Sequence, residues 1–397
     1  MLAFLQFTIV LDFMVLSPLG AILMPALSIT PKMFGLVVSV YAISAAVSGV
    51  LAAGFADRYD RKKFLLFFYG GFLLGTLLCG LAPTYPALLA ARIVTGLFGG
   101  VVGAAAFAIV ADTFPLAMRG RVMGLIMTAF GASQVLGIPI GIFLATHYGW
   151  HAPFLMIAGV GLAVGAVIVA RMQPVDAHLA KTQHQSPVQH LWKTGTSPRY
   201  WVGFLATMLL ATGGFMMMPF ASAFTVNNQH IALDRLPLVY AITGVCSMIL
   251  GPLIGRLSDR FGKFATFCYA SIGAIVIILY YTQLSDAPLW ELIVISIAMF
   301  ATITGRMASA GALTSAVPAP QDRGAYMSIS SSLQQLAGGI AAFLAGLIVY
   351  QGPSGRIEHY PWLGFVVCAS TVVAMWLMYR VHRLVAEPIA SDRPSAA

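Results

Sequence analysis

Three charged residues stand inside long apolar stretches of this sequence. Asp12 lies in the first stretch, Arg92 in the fourth and Arg306 in the tenth. A charged residue in a bilayer core costs about 2.5 to 3.5 kcal/mol even on the scale derived from membrane insertion, which gives the lowest values. Such a residue should therefore pair with an opposite charge, face a water-filled cavity or, for an aspartate, be protonated for part of a functional cycle. Asp12, roughly 15 Å along its helix, could bind and release a proton. The alternative is a permanent salt bridge or a hydrogen bond between helices.

Arginine keeps its charge in proteins and therefore needs a partner. Arg92 could tune a proton on Asp12 or hold an anionic ligand group, or it could only pack against backbone carbonyls. Arg306 could contact an anionic or polar substrate group, because the apolar stretches hold no second deep carboxylate. Otherwise its long side chain reaches toward the nearer interface.

Uncharged residues in two other stretches are further candidates for substrate contacts. In the seventh stretch Phe215, Met216 and Met218 stand between glycines and a proline and could form an adaptable substrate wall, although plain packing suits methionine equally well. Gln334 and Gln335 in the eleventh stretch are polar at membrane depth and could bind substrate or a neighbouring helix.

The stretches that must position these residues are membrane spans. The chain is 59% hydrophobic and 9% charged, whereas soluble domains carry about a quarter charged residues. Runs of about 20 apolar residues, each long enough to cross a bilayer, recur throughout. We predict an all-α membrane protein with twelve spans near residues 2–27, 34–56, 64–82, 85–113, 119–146, 152–171, 199–226, 236–257, 264–283, 288–316, 323–350 and 360–381. The first run lacks a cleavage site and is predicted to be a span.

The lysines and arginines predict the orientation of the spans. Of 22 cations, Lys32, Arg235 and Arg356 fall on one side, Arg92 and Arg306 lie inside spans, and the other seventeen fall on the opposite side. Basic loops stay cytoplasmic, so this distribution predicts an inner-membrane protein with both termini in the cytoplasm. Cations in such short loops set topology, and no nucleic-acid partner is indicated.

Two similar segments indicate an internal duplication. The polar loops at 53–63 and 255–263 carry Asp57 and Asp259, about 200 positions apart, and Arg119 stands at a similar offset from Arg323. Prolines at 18 and 219 are predicted to break the first span of each half. The predicted units are a bundle at 1–172, a cytoplasmic linker at 173–198, a second bundle at 199–383 and a disordered tail at 384–397.

The sequence offers no enzyme chemistry. It lacks clustered carboxylates and the phosphate-binding loop of ATP-driven proteins. The four cysteines stand in apolar runs without close pairing, and the linker histidines are irregularly spaced. We therefore predict no enzyme, no metal and no cofactor.

The two loops resemble the motif Gly-x-Leu-x-Asp-Arg-x-Gly-Arg-Lys of the major facilitator superfamily. The second copy keeps Gly255, Leu257, Asp259, Arg260, Gly262 and Lys263, and the first keeps Asp57, Arg58, Arg61 and Lys62 but has Ala53 and Asp60 at the glycine positions. Arg92 in ARIVTGLFGG resembles the buried arginine of the family. Span 5, GASQVLGIPIG with Gly137 and Pro139, is similar to its antiporter signature, with Ile138 before the proline. Span 1, LDFMVLSPLG, is similar to the first span of bacterial twelve-span drug:proton antiporters and related sugar and metabolite exporters.

This resemblance implies two pseudo-symmetric six-helix halves that rock around a central cavity. It implies a monomeric secondary transporter that exports a small drug-like molecule, sugar or metabolite in exchange for protons, with Asp12 and Arg92 within reach of each other. Gating would fall to Asp57, Arg61, Asp112, Asp259, Gly137 and Pro139. The alternative is a facilitator or exporter of an amphipathic anion, such as a lysolipid or organic acid, held by Arg92 and Arg306.

Overall fold

The computed structural model describes residues 1–176 and 187–386, apart from a few side chains that include Asp57. The first half contains Leu2–Leu16 and Gly20–Ala26 (span 1), Pro31–Ala53 (span 2), Arg61–Leu81 (span 3), Tyr85–Thr113 (span 4), Leu116–Ala132, Ser133–Gly137 and Ile138–Tyr148 (span 5) and Ala152–Arg171 (span 6). The second contains Pro198–Asn227, Leu236–Phe261, Lys263–Gln283, Leu289–Ser315, Arg323–Ile348 and Tyr360–Ala386 (spans 7 to 12). Short 3-10 turns cover Ala56–Arg58, Leu233–Arg235 and Pro320–Asp322.

These helices match the predicted spans closely. In the described residues, eleven helices are long and apolar enough to cross a membrane, and the bent pair of span 1 makes a twelfth. The last helix continues to Ala386, and the rest of the predicted tail lies outside the described residues. The predicted linker contains a helix, Pro187–Gly195, which we call the linker helix.

The two prolines behave differently. Span 1 bends by 62° between Leu16 and Gly20, where Pro18 cannot continue the hydrogen-bond ladder. Span 7 runs unbroken through Pro219, so the predicted break there is wrong. Neighbouring helices commonly support a membrane helix around the hydrogen bond that a proline removes.

Span 5 changes its helical geometry at the predicted antiporter signature. Ser133–Gly137 forms a π-helical turn, directly before Pro139, whose nitrogen cannot bond to the preceding turn. A Cβ on Gly137 would overlap the Leu11 side chain, so glycine lets spans 1 and 5 pack closely. Across the halves, a Cβ on Gly244 would lie 3.0 Å from the Val135 backbone. The π turn therefore contacts span 1 and span 8 together.

The apolar cores differ between the two ends of the bundle. We call the end with Leu2, Arg171, Pro198 and Ala386 the terminal end, and the opposite end, with the small hairpin of Tyr350–Gln351 and Ile357–Glu358, the hairpin end. At the hairpin end a large core and a smaller cluster around Ile138 and Leu236 each include residues of both halves, whereas at the terminal end each half has a core of its own. The halves are therefore closed together at the hairpin end.

Glycines form the closest part of the seam between spans 2 and 11. A Cβ on Gly35 would lie 2.7 Å from the Ala342 carbonyl oxygen, and one on Gly346 would lie 3.0 Å from the Pro31 carbonyl oxygen. Such small residues let helix backbones approach in membranes, where van der Waals packing drives association. The seam continues toward the terminal end as far as Gly49, which faces Ser332.

Candidate functional site

A fully buried ion pair joins spans 1 and 4. The Arg92 Nη1 atom donates to Asp12 Oδ2 at 2.7 Å, and the two side chains are 1% and 0% exposed. Thr76 on span 3 donates its hydroxyl to the other carboxylate oxygen at 3.1 Å. This is the contact that the family resemblance implied, and it sits inside the first half with its charges balanced.

Aromatic rings connect this pair to the second half. The Arg92 guanidinium lies 4.3 Å from the centroid of the Tyr41 ring, which favours a cation–π interaction. Tyr41 contacts Phe13, next to Asp12, at 5.6 Å between centroids, and Phe13 contacts Phe215 of span 7 at 5.5 Å. A change at Asp12 or Arg92 therefore has a short path of packed side chains to the interface between the halves.

The pair can do proton chemistry because its two states bind differently. A carboxylate on Asp12 balances the charge of Arg92 and accepts hydrogen bonds from Arg92 and Thr76 in the observed geometry. A protonated Asp12 would lose most of its attraction for the guanidinium, while Arg92 would stay charged and need another partner. Binding of a proton to Asp12 can therefore cause the buried side chains around it to rearrange.

Arg306 lies in the second half, away from the ion pair. It is 6% exposed, and its Nη2 atom donates to Thr371 of span 12 at 3.3 Å. Its Nε atom has no partner, and no carboxylate among the described side chains pairs with it. The structure places this predicted substrate contact between spans 10 and 12.

The other predicted substrate residues lie at different depths. Phe215 contacts Phe13, and a Cβ on Gly338 of span 11 would come within 2.6 Å of its ring. Met216 is 4% exposed in the core at the hairpin end, whereas Met218 is half-buried. The predicted amides lie half-buried on span 11 and have no hydrogen-bond partner in the described part of the chain: Gln334 and Gln335.

The predicted gating charges lie at the terminal end. The Arg61 Nε atom pairs with Asp112 of span 4 at 2.8 Å, and its Nη1 atom donates to the Ala56 carbonyl at 3.2 Å. The Asp57 side chain lies outside the described residues. In the second copy, Asp259 pairs with Lys263 on the next span and with no other described residue, and both side chains are exposed. The first copy therefore links two spans at a partly buried site, and the second forms a surface pair.

Asp60, which departs from the family motif, has a defined structural role. Its side chain caps span 3 by accepting from the Lys63 N–H at 2.9 Å, and its other oxygen accepts from the Val175 N–H at 3.1 Å. The Arg61 N–H donates to the Val175 carbonyl at 3.1 Å. These bonds fasten the beginning of the linker to the first loop.

The linker helix is fastened to the second half by Asp322. His190 lies 2.9 Å from one Asp322 oxygen, and the Tyr200 hydroxyl donates to the other at 2.7 Å. The Tyr200 hydrogen bond, aided by His190 and Lys193, lowers the pKa of the Asp322 carboxyl against an opposing effect of burial. We call this cluster the linker latch.

Sequence reasoning missed Tyr41, Thr76 and Phe13 as neighbours of the ion pair. A tyrosine and a threonine within apolar runs carry no spacing signal that links them to Asp12, since each stands on a different span. Among the described residues, no group of three or more histidine, cysteine, aspartate or glutamate side chains could hold a metal ion.

Comparisons with known proteins agree with this architecture. The sequence profile described as Major Facilitator Superfamily matches residues 2–305 and 203–396. The uncharacterized MFS-type transporter YceJ of Bacillus subtilis is 30% identical to this chain over 66% of the chain. The match covers 66% of the length of YceJ, which is just under two thirds. Multidrug resistance protein 3 of the same organism is 34% identical over 32% of this chain and 25% of its own length.

Among solved structures, a bacterial homologue of the human lysosomal transporter Spinster, inward-facing and unoccupied, superimposes with a TM-score of 0.74. The alignment covers 100% of this chain and 98% of the homologue at 16% identity, so the likeness concerns the fold. Twelve spans in two halves, a repeated loop motif and a profile that covers the chain lead to one conclusion. This chain is a multi-pass membrane protein that belongs to the major facilitator superfamily of transporters.

Proposed function

We propose that this chain is a proton-coupled antiporter that exports a small drug-like molecule, sugar or other metabolite by alternating access. The observation that carries this proposal is the Asp12–Arg92 pair, which is buried, charge-balanced and connected to the interface between the halves. Secondary transport follows from the family. Export and proton exchange rest on this pair and on the antiporter-like signature of span 5.

The proposed cycle uses the competition between a proton and Arg92 for Asp12. Protonation of Asp12 frees Arg92, and the Tyr41 and Phe13 rings transmit the change to Phe215 of the second half. Return of Arg92 to an ionised Asp12 restores the observed arrangement and releases the proton. Substrate would bind in the central region, with Phe215, Met218, Gln334 and Gln335 as contacts.

The two ends of the bundle supply the moving parts of this cycle. The positive-inside distribution favours a cytoplasmic terminal end, and with that orientation the shared core at the hairpin end would correspond to closure on the outside. Substrate would therefore enter this conformer from the cytoplasm. The π turn before Pro139 and the Arg61–Asp112 pair are proposed to adjust as the halves rock in a monomer within the inner membrane.

Transport into liposomes tests the proposal. Purified protein is reconstituted with an internal pH-sensitive dye and an imposed proton gradient, and candidate drugs, sugars and organic acids are screened for substrate-dependent proton flux. We expect flux in the native protein, none in Asp12→Asn, and normal flux in the matched control Asp234→Asn, since Asp234 lies exposed in the 3-10 turn before span 8. Substrate movement without proton flux, unchanged in Asp12→Asn, would contradict coupling.

One observation favours a second candidate function, the facilitated movement or export of an amphipathic anion such as a lysolipid or organic acid. Arg306 is a buried cation without a carboxylate partner in the described part of the chain, and an anionic headgroup would supply its counter-charge. The same liposome screen separates the two, because this candidate predicts anion movement that survives Asp12→Asn and is lost in Arg306→Gln.

A further inference from the structure

Arg306 occupies a junction of three helices in the second half. It lies on span 10, and its guanidinium donates to Thr371 on span 12. One turn before Thr371, the Cys368 thiol contacts the Ile275 carbonyl of span 9 at 3.8 Å. The residue before Arg306, Gly305, packs against Ala270 of span 9, where a Cβ would find the Ala270 methyl at 3.1 Å. Spans 9, 10 and 12 therefore meet at the guanidinium.

Charge is not balanced at this junction. Arg306 is 6% exposed, and among the described residues the one group that accepts from it is the neutral Thr371 hydroxyl, which is itself fully buried. In the described part of the chain the Nε atoms of Arg306 and Arg92 both lack a partner. The two sites differ in charge, because Arg92 has a carboxylate at 2.7 Å and Arg306 has none. A buried cation with one neutral hydrogen bond keeps most of its desolvation cost, so a counter-charge at this point would be strongly favoured.

A second unpartnered polar group belongs to the same junction. Ser271 on span 9 is 0% exposed, and its hydroxyl has no hydrogen-bond partner within the described ranges. It follows Ala270, which packs on Gly305, and lies one helical turn from Ile275, which contacts Cys368. Ile275 lies four residues after Ser271 on the same face of span 9, and its carbonyl meets the Cys368 thiol, so Ser271 lies on the face that is turned toward span 12. Among the described residues, the Ser271 hydroxyl and the Arg306 Nε atom are buried donors without partners on neighbouring spans, and together they are a donor set for an anion.

We propose that Arg306, Thr371 and Ser271 form a buried anion-binding site at the junction of spans 9, 10 and 12. Its ligand is a small monovalent anion, either a free ion such as chloride or the carboxylate of an organic ligand. The guanidinium supplies the charge, and the two hydroxyls donate to the anion. The site does not depend on the proton chemistry of Asp12, so it can exist whether or not transport is proton-coupled.

Thermal unfolding of the full-length protein in detergent tests the site. Sodium gluconate is replaced stepwise by sodium chloride at constant ionic strength, and unfolding is followed by the fluorescence of the six tryptophans. A ligand that binds only the folded state raises the midpoint with a saturable dependence on its concentration. We expect such a rise with chloride, and parallel titrations with acetate and hexanoate identify a carboxylate ligand. Stabilisation by a carboxylate and not by chloride would assign the site to an organic anion.

Variants tie the response to the site. Thr371→Val and Ser271→Ala each remove one hydroxyl donor and should raise the half-saturating anion concentration about tenfold. Arg306→Met should abolish the response and, in gluconate, be at least as stable as the native protein, because it removes the uncompensated charge. Arg356→Met is the matched control, since Arg356 is exposed in the hairpin loop and its loss should leave the response intact.

Two results would overturn the proposal. One is a midpoint of thermal unfolding of the native protein that is the same in gluconate, chloride, acetate and hexanoate. The other is an anion response that Thr371→Val and Ser271→Ala leave unchanged, which also decides the question if Arg306→Met does not fold. The liposome proton-flux assay is a separate measurement, so failure of this site and failure of proton coupling are distinguishable.

Discussion

Asp12→Asn should destabilise the protein strongly, because it leaves Arg92 charged in a site with almost no solvent. Arg92 is 1% exposed, and after the substitution it keeps a neutral amide and the Tyr41 ring as partners. Loss of one member of a buried ion pair costs about 3–5 kcal/mol of unfolding free energy. The cation–π contact with Tyr41, which stabilises by about 2 kcal/mol or more when desolvated, already exists in the native protein and therefore does not offset this loss. We therefore expect a loss of about 3 kcal/mol or more.

The double variant Asp12→Asn/Arg92→Gln separates the charge from the shape of the site. It contains no uncompensated charge, so it should be more stable than either single variant, and the double-mutant cycle should give a coupling free energy of about 2 kcal/mol or more. Denaturant titrations in detergent, followed by tryptophan fluorescence, measure these differences. Asp259→Asn is the matched control, because its exposed pair should contribute about 1 kcal/mol or less.

Transport by the same variants distinguishes a proton site from a permanent bridge. If Asp12 carries the proton, Asp12→Asn should keep substrate exchange across the liposome membrane and lose substrate-dependent proton flux. If the pair only holds helices together, Asp12→Asn should lose both activities, and the double variant should regain both. An Asp12→Asn protein within about 1 kcal/mol of native stability and with native proton flux would refute the reasoning on both counts.

Three further outcomes test other parts of the structure. Gly35→Ala forces a Cβ to within 2.7 Å of a backbone oxygen and should open the seam at the hairpin end. Gly70→Ala is the control, because Gly70 has open space around it and the seam should stay closed. The accessibility of cysteines introduced at the seam measures the difference between the two variants. Asp112→Asn should lower the unfolding free energy by about 1 kcal/mol, measured by denaturant titration, because the pair it breaks is only partly buried. The pKa of Asp322 is below its ordinary 3.8, so the linker latch should stabilise the folded protein above about pH 4, and this stability should be lost as pH falls through the folded-state pKa. The variant Asp322→Asn should release the linker helix already at pH 7, and faster proteolysis of the linker would measure that release.

The spans and the duplication were predictable because they depend on local composition. Any stretch of about 20 apolar residues meets the length of a bilayer, so the ends of the twelve spans agree with the structure to within a few residues. Predictions from local sequence were less reliable where contacts with neighbouring helices determine the backbone conformation. Pro18 bends span 1 and Pro219 does not end span 7, although the same residue stands at equivalent positions of the two halves.

The sequence alone determined that Asp12, Arg92 and Arg306 are buried charges that need partners, because the cost of a charge in an apolar run does not depend on the fold. Only the tertiary structure decided which partners they have. Asp12 and Arg92 neutralise each other across two spans, whereas Arg306 faces Thr371. Helix rotation and packing settle this difference, since a turn of one residue moves a side chain by about 100° around its helix. Spacing along the chain carries no record of that rotation.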